Sequence, residues 1–521
     1  MRVAVVGSGV SGLAATWLLN DRSKHEVHLY ESDSRPGGHA NTVTVAVPDK
    51  IPVDVDSGFI VFNPSTYPNF LRFLRSHPLI EIIPTEMTFG VSRDAGAFEW
   101  AGKTLFTVFC QPRRLVDPDM WRLLYDVLRF NACARRLLTE EEEKKHMTEL
   151  SIEDYLQREG YSNSFRDNYL VPMTAAVWST PPDVCALDFP ARTLIRFLHN
   201  HHLLQLTGKP SWLTIKGGSK QYVNTILSSL PEGALRLSSP VASVSSTPRT
   251  DSDGFDITLT TLDGATEIYD HVIFACHSDD ALKIMSAGGG VTHDEERILG
   301  GFRWNRNQVI VHSDEILMPR SKAAWSCWNY LTKSGVDAEG YHKANNDQVA
   351  LTYWMNDLQK ISLETHGPIF ATLNPPIPPS PSKTFSTHQY SHPVLDARSV
   401  RLQSEMPSIQ GKRGISYAGA WMKYGFHEDG FASGLRAAEP LLRQGGEDVE
   451  FEVEDAERGG ARDVPFIAAA FDWLESSGVR VVIATILGLW LGVVRTLASF
   501  YFDLSDVGTR PQERERKEKV I

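Results

Sequence analysis

Arg2-Val3-Ala4-Val5-Val6-Gly7-Ser8-Gly9-Val10-Ser11-Gly12 is the stretch that decides the fold of this chain. Its apolar first half has the length and composition of a buried strand, and it breaks directly into glycines spaced G-x-G-x-x-G. Leu13 to Asn20 then continues as a helix. Gly7 can take the backbone angles of a tight turn and Gly9 lets a pyrophosphate approach the main chain. Gly12 lets helix and strand pack closely, so phosphates sit on the helix N-terminus. A second strand, Glu26-Val27-His28-Leu29-Tyr30, delivers Glu31 nineteen positions after Gly12. A carboxylate there accepts hydrogen bonds from a ribose diol and repels a 2′-phosphate. Such glycine turns also occur without a ligand; here the strand, the helix and the acid all agree, and dinucleotide binding is the expectation.

The segment after Glu31 narrows the choice of dinucleotide. Ser32 to Thr42 contains a second glycine turn with a cation, Arg35-Pro36-Gly37-Gly38-His39-Ala40-Asn41-Thr42. A nicotinamide enzyme needs nothing there, whereas a flavin dinucleotide stretched along the domain has more phosphate and ribityl to hold. Arg35 can pair with the pyrophosphate and the Gly37-Gly38 backbone can approach the flavin end. An ordinary surface loop is the alternative.

These residues, with Val53 to Asn63 and Tyr417 to Gly434, resemble the flavin-containing amine oxidoreductase superfamily, in particular its branch of predicted NAD/FAD-binding proteins with a Gly-Gly-His-Ala-Asn-Thr motif. The resemblance covers roughly residues 1–443. It implies an α/β fold: a Rossmann-like FAD-binding domain of the glutathione-reductase/amine-oxidase type with an interleaved α+β substrate domain, followed here by a C-terminal apolar helix. Carried over residue by residue, it implies FAD contacts from Gly7, Ser8, Gly9, Val10, Ser11, Gly12, Glu31, Ser32, Arg35, Gly37, Gly38, His39, Ala40, Asn41, Thr42 and Gly58. Further contacts fall on Val241, whose main chain would meet the adenine, and on Ala275, Gly419, Ala420, Gly425, Phe426 and Gly430. The chain departs from amine oxidases at Ala420, where they carry an acid, so the ribityl contact must come from elsewhere.

A chain of 521 residues is too long for one simple core. The expected division is a discontinuous FAD-binding domain at 1–84, 206–285 and 411–444, and a substrate domain at 85–205 and 286–410. An acidic linker and amphipathic segment at 445–478, an apolar membrane-associating helix at 479–503 and a charged tail at 504–521 follow. A net charge of −12 without a basic block in the body argues against nucleic acid as a partner. Cys110, Cys133, Cys185, Cys276 and Cys327 are far apart, odd in number and free of CxxC spacing, which suggests neither a zinc site nor a disulfide frame. The first strand starts at residue 2, leaving no room for a signal peptide, and a cytosolic body is expected.

Along the chain, Val53 to Asn63 alternates and turns, with Gly58 allowing close approach to the flavin and Asp54 and Asp56 read as solvated strand residues. Phe89 to Phe109 reads as short strands. Asp117 to Leu138 reads as an amphipathic helix with Trp121, Leu124, Tyr125, Leu128 and Phe130 as a core stripe. Glu140 to Lys145 is a charged connection, and Ser151-Ile152-Glu153-Asp154 resembles a capping box. Tyr169 to Thr180 and Phe197 to Leu204 are apolar enough to wall a substrate chamber. His199, His201 and His202 invite a metal reading that no further ligand pattern supports, so they are taken as a helix-end cluster and no metal is expected. Leu235 to Val244 reads as one strand, Phe255 to Tyr269 as a hairpin and His271 to Cys276 as a buried strand. Val309 to His312, Trp325 to Tyr330 and Val349 to Asn356 are aromatic, strand-like runs that would roof the substrate. The helix Phe431 to Leu442 would aim its N-terminus at the flavin's pyrimidine edge, with Glu428 and Asp429 capping it. Val481 to Val494 carries no charge, and the run to Phe502 is long enough to span or lie in a bilayer; a core helix docked on the body is the alternative.

The chemistry expected is hydride removal from, or delivery to, a carbon, with the hard step supplied by the flavin. Lys216 is the lysine expected to hold a water against it and His427 the expected proton handler. Trp421 and Tyr424 are the candidates for an amine-binding aromatic pair. Apolar walls and the tail favour a lipid or fatty acyl substrate. A soluble amine oxidase and a non-catalytic flavoprotein scaffold are the alternatives. Relatives in the branch imply a functional link to a cyclopropane-fatty-acid-synthase-like methyltransferase.

Overall fold

The computed structural model describes residues 1–139, 150–180, 189–205, 211–250, 254–336, 342–344, 349–444, 451–455 and 466–500. The charged connection Glu140 to Lys145, Cys185 and the tail at 504–521 lie outside the described residues.

The opening stretch folds as β1 (Arg2–Val6), α1 (Val10–Arg22) and β2 (Glu26–Tyr30). β3 (Thr42–Val45) and β4 (Val53–Asp56) form a small antiparallel ribbon, and α2 (Pro68–Ser76) follows with proline in its first turn. The helical part of the substrate-side layer includes α3 (Leu105–Val108), α4 (Pro118–Cys133), α5 (Val171–Trp178) and α6 (Ala191–Asn200). The chain then returns through α7 (Lys220–Ser228), β5 (Leu235–Arg236), β6 (Val241–Pro248) and β7 (His271–Phe274). It ends the nucleotide-type layer with β8 (Ile415–Tyr417) and α8 (His427–Gln444), before α9 (Phe466–Ser476) and α10 (Val479–Ala498).

Five parallel strands in the order β8-β7-β1-β2-β5 form the first sheet. β1 is central, and the crevice beyond its C-terminal end is where an open α/β sheet binds ligands. Strands covered on both faces must be apolar throughout, and Val3, Ala4 and Val5 are fully buried. Val3, Val5, Leu13, Leu18 and Phe431 pack on one side of the sheet and Ala4, Val6, Phe274 and Tyr417 on the other. α1 and α8 lie in close contact: a Cβ on Gly434 would come within 2.0 Å of the Ser11 carbonyl oxygen, so only glycine permits this approach.

The expected single strand from Leu235 to Val244 is two strands in two sheets. Ser238 has φ +50°, Pro240 has no N–H to donate, and the chain turns there. β5 pairs with β2, whereas β6 joins the hairpin strands Phe255–Thr261 and Thr266–Tyr269. The turn between them is tied to β2's end: Ser239 N donates to the Glu31 carbonyl at 2.8 Å and Ser238 N to that of Asp33 at 2.9 Å.

The substrate-side sheet has seven strands in the order Thr384–Val394, Arg303–His312, Phe370–Leu373, Ala350–Trp354, Trp328–Thr332, Phe89–Arg93, Phe98–Ala101. All neighbours are antiparallel except Trp328–Thr332 with Phe89–Arg93. The strands expected over Phe89 to Phe109 stop at Ala101. Thr104 and Thr107 then form a reciprocal capping box that starts α3. In α4 the buried stripe is Met120, Leu123 and Phe130, whereas Trp121 and Leu128 are 37% and 46% exposed. Of the expected stripe, Phe130 is buried and Leu124 packs against the core, while Tyr125 meets α9 through Phe471 and Glu475.

α9 docks on α4 through Tyr125 and Glu475 at 2.8 Å and the Tyr125 and Phe471 rings, and on the short helix Arg136–Thr139 through Arg136 and Asp472 at 2.5 Å. The preceding segment 451–455 is pinned to α2 by paired bonds between Asn69 and the Glu454 backbone. α10 is long and apolar enough to cross a membrane by length and composition, and most of it is solvent-exposed.

Candidate flavin site and adjoining chamber

The two glycine turns meet at the mouth of the first sheet. Gly7 sits at φ +104°, donates to the Tyr30 carbonyl at 2.8 Å, and a Cβ there would press on the Ala275 carbonyl at 2.8 Å. A Cβ on Gly12 would lie 1.8 Å from the Gly7 oxygen, so this glycine lets α1 start directly under the turn. Gly9 differs from both, because a Cβ on it would meet nothing within 4 Å. It is the N-cap of α1 and offers no side-chain cap, so no capping side chain meets the first-turn amides of Val10, Ser11 and Gly12, and the positive end of the helix dipole lies behind them. An uncapped helix start beside an open glycine has the shape and charge that a pyrophosphate requires.

Glu31, at the end of β2, accepts from Ser8 N at 2.9 Å, Ser8 Oγ at 2.5 Å, Ser32 Oγ at 3.2 Å and Asp33 N at 2.9 Å. These bonds fix its carboxylate against the first turn. Arg35 donates to the carbonyls of Pro36, Gly38 and Ala40 and so braces the second turn from within. Gly37 N donates to the Ser8 carbonyl, and a Cβ on Gly38 would lie 3.1 Å from the Gly9 Cα, so the two turns touch. Residues 57–59 zip onto 39–41 through Ser57 N to Asn41 O and Phe59 N to His39 O, both 2.9 Å; a Cβ on Gly58 would clash with the His39 carbonyl at 2.3 Å. Thr42 Oγ1 donates to Asp56 at 2.6 Å. Val241 opens β6, and Ala275 N donates to the Val6 carbonyl at the end of β7.

The third contribution comes from the C-terminal part of the body. Gly419 N donates to Ser433 Oγ, Gly425 N to the Ala420 carbonyl and Phe426 N to Asp429 Oδ2. Gly430 abuts Val10 and Ser11, which brings the starts of α8 and α1 together. α8 begins at His427, four residues before the expected start, so Glu428 and Asp429 stand in its first turn.

Residues 10–289 match the model of the family described as flavin containing amine oxidoreductase, somewhat over half of the chain. The chain belongs to that family. It is an FAD-dependent oxidoreductase of the amine-oxidase superfamily. A comparison with curated protein sequences finds no match. Among solved structures, the chain is similar to a putrescine oxidase variant (13% identity, TM-score 0.59, 85% of this chain and 99% of that one). It is likewise similar to the cyclohexylamine oxidase of Brevibacterium oxydans IH-35A (13%, TM-score 0.56, 86% and 99%). A third is the CLA-producing fatty acid isomerase of P. acnes (14%, TM-score 0.54, 85% and 98%). At these identities the likeness is one of fold.

Two residues expected to act in this family member's chemistry lie elsewhere or in another state. Lys216 is 62% exposed and pairs with Glu81 at 2.8 Å on the surface, because the Gly217-Gly218 turn carries the chain outward there. His427 is buried, stacked on Phe59 at 3.7 Å and bonded through Nε2 to the Tyr222 hydroxyl at 2.9 Å. Burial pushes its pKa down to about 3, which favours the neutral ring at neutral pH. Trp421 is a core residue, with its indole N–H on the Cys276 carbonyl and its ring against Phe302.

Asp56 overturns the reading of a solvated strand acid. It is 1% exposed and accepts from Thr42 Oγ1, Ser219 N, Ser219 Oγ and Gln359 Nε2, tying three separate segments together. Burial raises its pKa to about 6. Asp54, by contrast, pairs with the partly exposed Lys220 at 2.6 Å. Glu428 accepts from Asn69 N, Asn69 Nδ2 and Phe70 N, so it caps α2 from another helix; burial raises it to about 7.

Beside the second turn lies a wall of neutral rings. The strand Thr384–Val394 places His388, Tyr390 and His392 at alternate positions, a period-two signal present in the sequence but not read from it. His39 lies 4.8 Å from the Tyr390 ring and 5.2 Å from that of His392. Tyr390 bonds Asn41 and Ser57, and His392 bonds Asn307. Burial, with the neighbouring His392, holds His39 well below its ordinary pKa, and burial takes His392 down to about 4. A second ring cluster is built on α6: Phe197 stacks on Phe426 at 5.3 Å and 14°, and His201 on Phe197 at 4.1 Å, with Trp178 and Tyr424 adjoining. His201 falls to about 4 through burial. His201 and His202 turn to different acceptors, Phe197 O and Gln205, as befits a helix end. Among the described residues, His277, Asp279 and Asp280 bring ligand-type atoms within 4.8 Å of one another; both acids are exposed and begin a helix.

Proposed function

We propose that this chain is a membrane-associated FAD oxidoreductase acting on an apolar lipid or fatty acyl substrate, with its body on the cytosolic side. The observation that carries the substrate class is the cluster of Phe197, His201, Tyr424 and Phe426: four rings, with His201 held neutral by burial, that offer apolar surface to an acyl chain. The buried indole N–H of Trp178, beside Phe197, has no acceptor among the described residues and suits an acyl oxygen.

When bound, FAD supplies a two-electron acceptor for hydride. The α1 amides and Glu31 would hold its phosphate and ribose ends, and the Val241 main chain would meet the adenine. The start of α8 directs its positive end toward the site, favouring negative charge there. Phe197 and Phe426 exclude water from the chamber, and neutral His39 and His392 orient polar groups without adding charge. A methyltransferase of cyclopropane-fatty-acid-synthase type is the proposed enzyme acting on the same acyl chains.

Anaerobic bleaching of the bound flavin by a panel of fatty acyl lipids and amines tests the reading. Bleaching by acyl lipids and not by amines is expected. Bleaching by amines, with hydrogen peroxide released on admitting oxygen, would select an amine oxidase. A flavin that no panel member reduces would select a scaffold.

A further inference from the structure

α10 has two faces. Val479 and Arg480 at its start and Leu487, Gly488, Leu491, Val494 and Arg495 in its second half are its less exposed positions, the latter group on one face, while 481–486 are exposed all round. Leu491, at mid-length, is buried, and the helix packs against the turn Pro112–Val116; at its start Arg480 pairs with Glu475 of α9. The helix therefore runs along the body rather than away from it. Val482, Ile486, Leu489, Trp490, Val493 and Leu497 form the opposite stripe, all more than half exposed. Both arginines within α10 lie on the body side.

The body continues this apolar stripe. Leu115, in the turn beneath α10, is exposed, and its carbonyl accepts from Trp121 Nε1 at 2.9 Å. Trp121 meets Phe109 at 5.1 Å, and the same capped turn presents Leu105 and Phe106, each 75% exposed. Leu115 thus lies in the turn that touches α10, and Trp121, Leu105 and Phe106 continue from it over the substrate-side layer.

Resting on the proposed membrane association, we infer that α10 lies in the plane of the bilayer surface instead of spanning it, and that Leu105, Phe106, Leu115 and Trp121 rest on the same lipid face. The substrate domain, rather than the flavin domain, then faces the membrane. A helix of 20 residues is about 30 Å long, enough to cross a bilayer. A body packed against its middle would have to enter the hydrocarbon with it, and in-plane insertion of one face avoids that cost. The contact is made by uncharged side chains on a chain of net charge −12, so binding to zwitterionic lipid should persist in high salt.

The test uses the full-length FAD-loaded protein carrying an environment-sensitive fluorophore at single added cysteines, with labelled wild type as the blank. The sites are V482C, L489C and L497C on α10, F106C on the patch, and L262C on an exposed flavin-side hairpin. Phosphatidylcholine vesicles with brominated acyl chains report depth by quenching. Equal, shallow quenching at 482, 489 and 497, quenching at 106 and none at 262 is the expected result. Depth graded from 482 to 497 means a spanning helix and overturns the inference, leaving membrane association intact. Quenching on α10 without quenching at 106 overturns the shared lipid face. No quenching anywhere, or a concentration-dependent shift without vesicles, overturns membrane association itself in favour of packing or self-association.

Discussion

Replacing Asp56 by alanine removes the acceptor on which Thr42 Oγ1, Ser219 N, Ser219 Oγ and Gln359 Nε2 converge at 2.6–2.9 Å. Gln359 cannot turn to repair the loss, because its Oε1 already accepts Asp56 N at 2.9 Å. Each buried donor left unpaired costs about 1–3 kcal/mol, and with water taking up part of the vacated space a total of roughly 3–5 kcal/mol is expected at pH 4. The carboxyl's own titration works against this penalty. Burial raises its pKa from 3.8 to about 6, so its contribution is fully present below pH 3.8 and is lost as pH rises through 6. A rise of roughly two units corresponds to about 3 kcal/mol. The gap between wild type and D56A should therefore narrow between pH 4 and pH 7.5. Guanidinium unfolding followed by tryptophan emission and flavin release, run at both pH values, measures it. A D56A midpoint equal to wild type at pH 4, or a gap that widens with pH, would refute the assignment of Asp56 as a buried tie whose charge is disfavoured.

Other perturbations separate cofactor space from packing. Gly9→Val places a side chain in open space at the α1 start and should leave a folded protein that purifies colourless, whereas Gly12→Ala drives a Cβ into the Gly7 carbonyl and should lose the fold; circular dichroism with flavin absorbance distinguishes them. Glu428→Gln should flatten the stability–pH profile between 4.5 and 7, where the raised wild-type carboxyl loses on the order of 3 kcal/mol as pH rises; thermal midpoints across that range check it. His427→Phe keeps the stack on Phe59 and loses the bond to Tyr222, so a loss of about 1 kcal/mol is expected with the pH–rate profile from 6 to 8 unmoved. A displaced profile would restore His427 as a proton handler. Phe197→Ala opens the wall beside Phe426 and should lower kcat/KM for an acyl substrate at least tenfold while flavin content is retained.

The sequence alone determined the parts whose information is local. Glycines at 7, 9 and 12, the apolar run before them and the acid at the end of β2 specify a strand, turn and helix within thirty residues, because backbone freedom and side-chain period act on neighbours in the chain. The apolar length of α10 is legible for the same reason. Burial and partner choice were settled only by tertiary structure. Asp56 looked like a solvated strand residue until Gln359, 303 positions away, packed against it. Lys216 and His427 were reasonable by residue type, yet one faces water and the other is held neutral by three aromatic rings. The less exposed positions of α10 likewise exist because α9 and the turn at Pro112–Val116 pack against them. Desolvation depends on everything that surrounds a group in space, and one-dimensional spacing does not encode it.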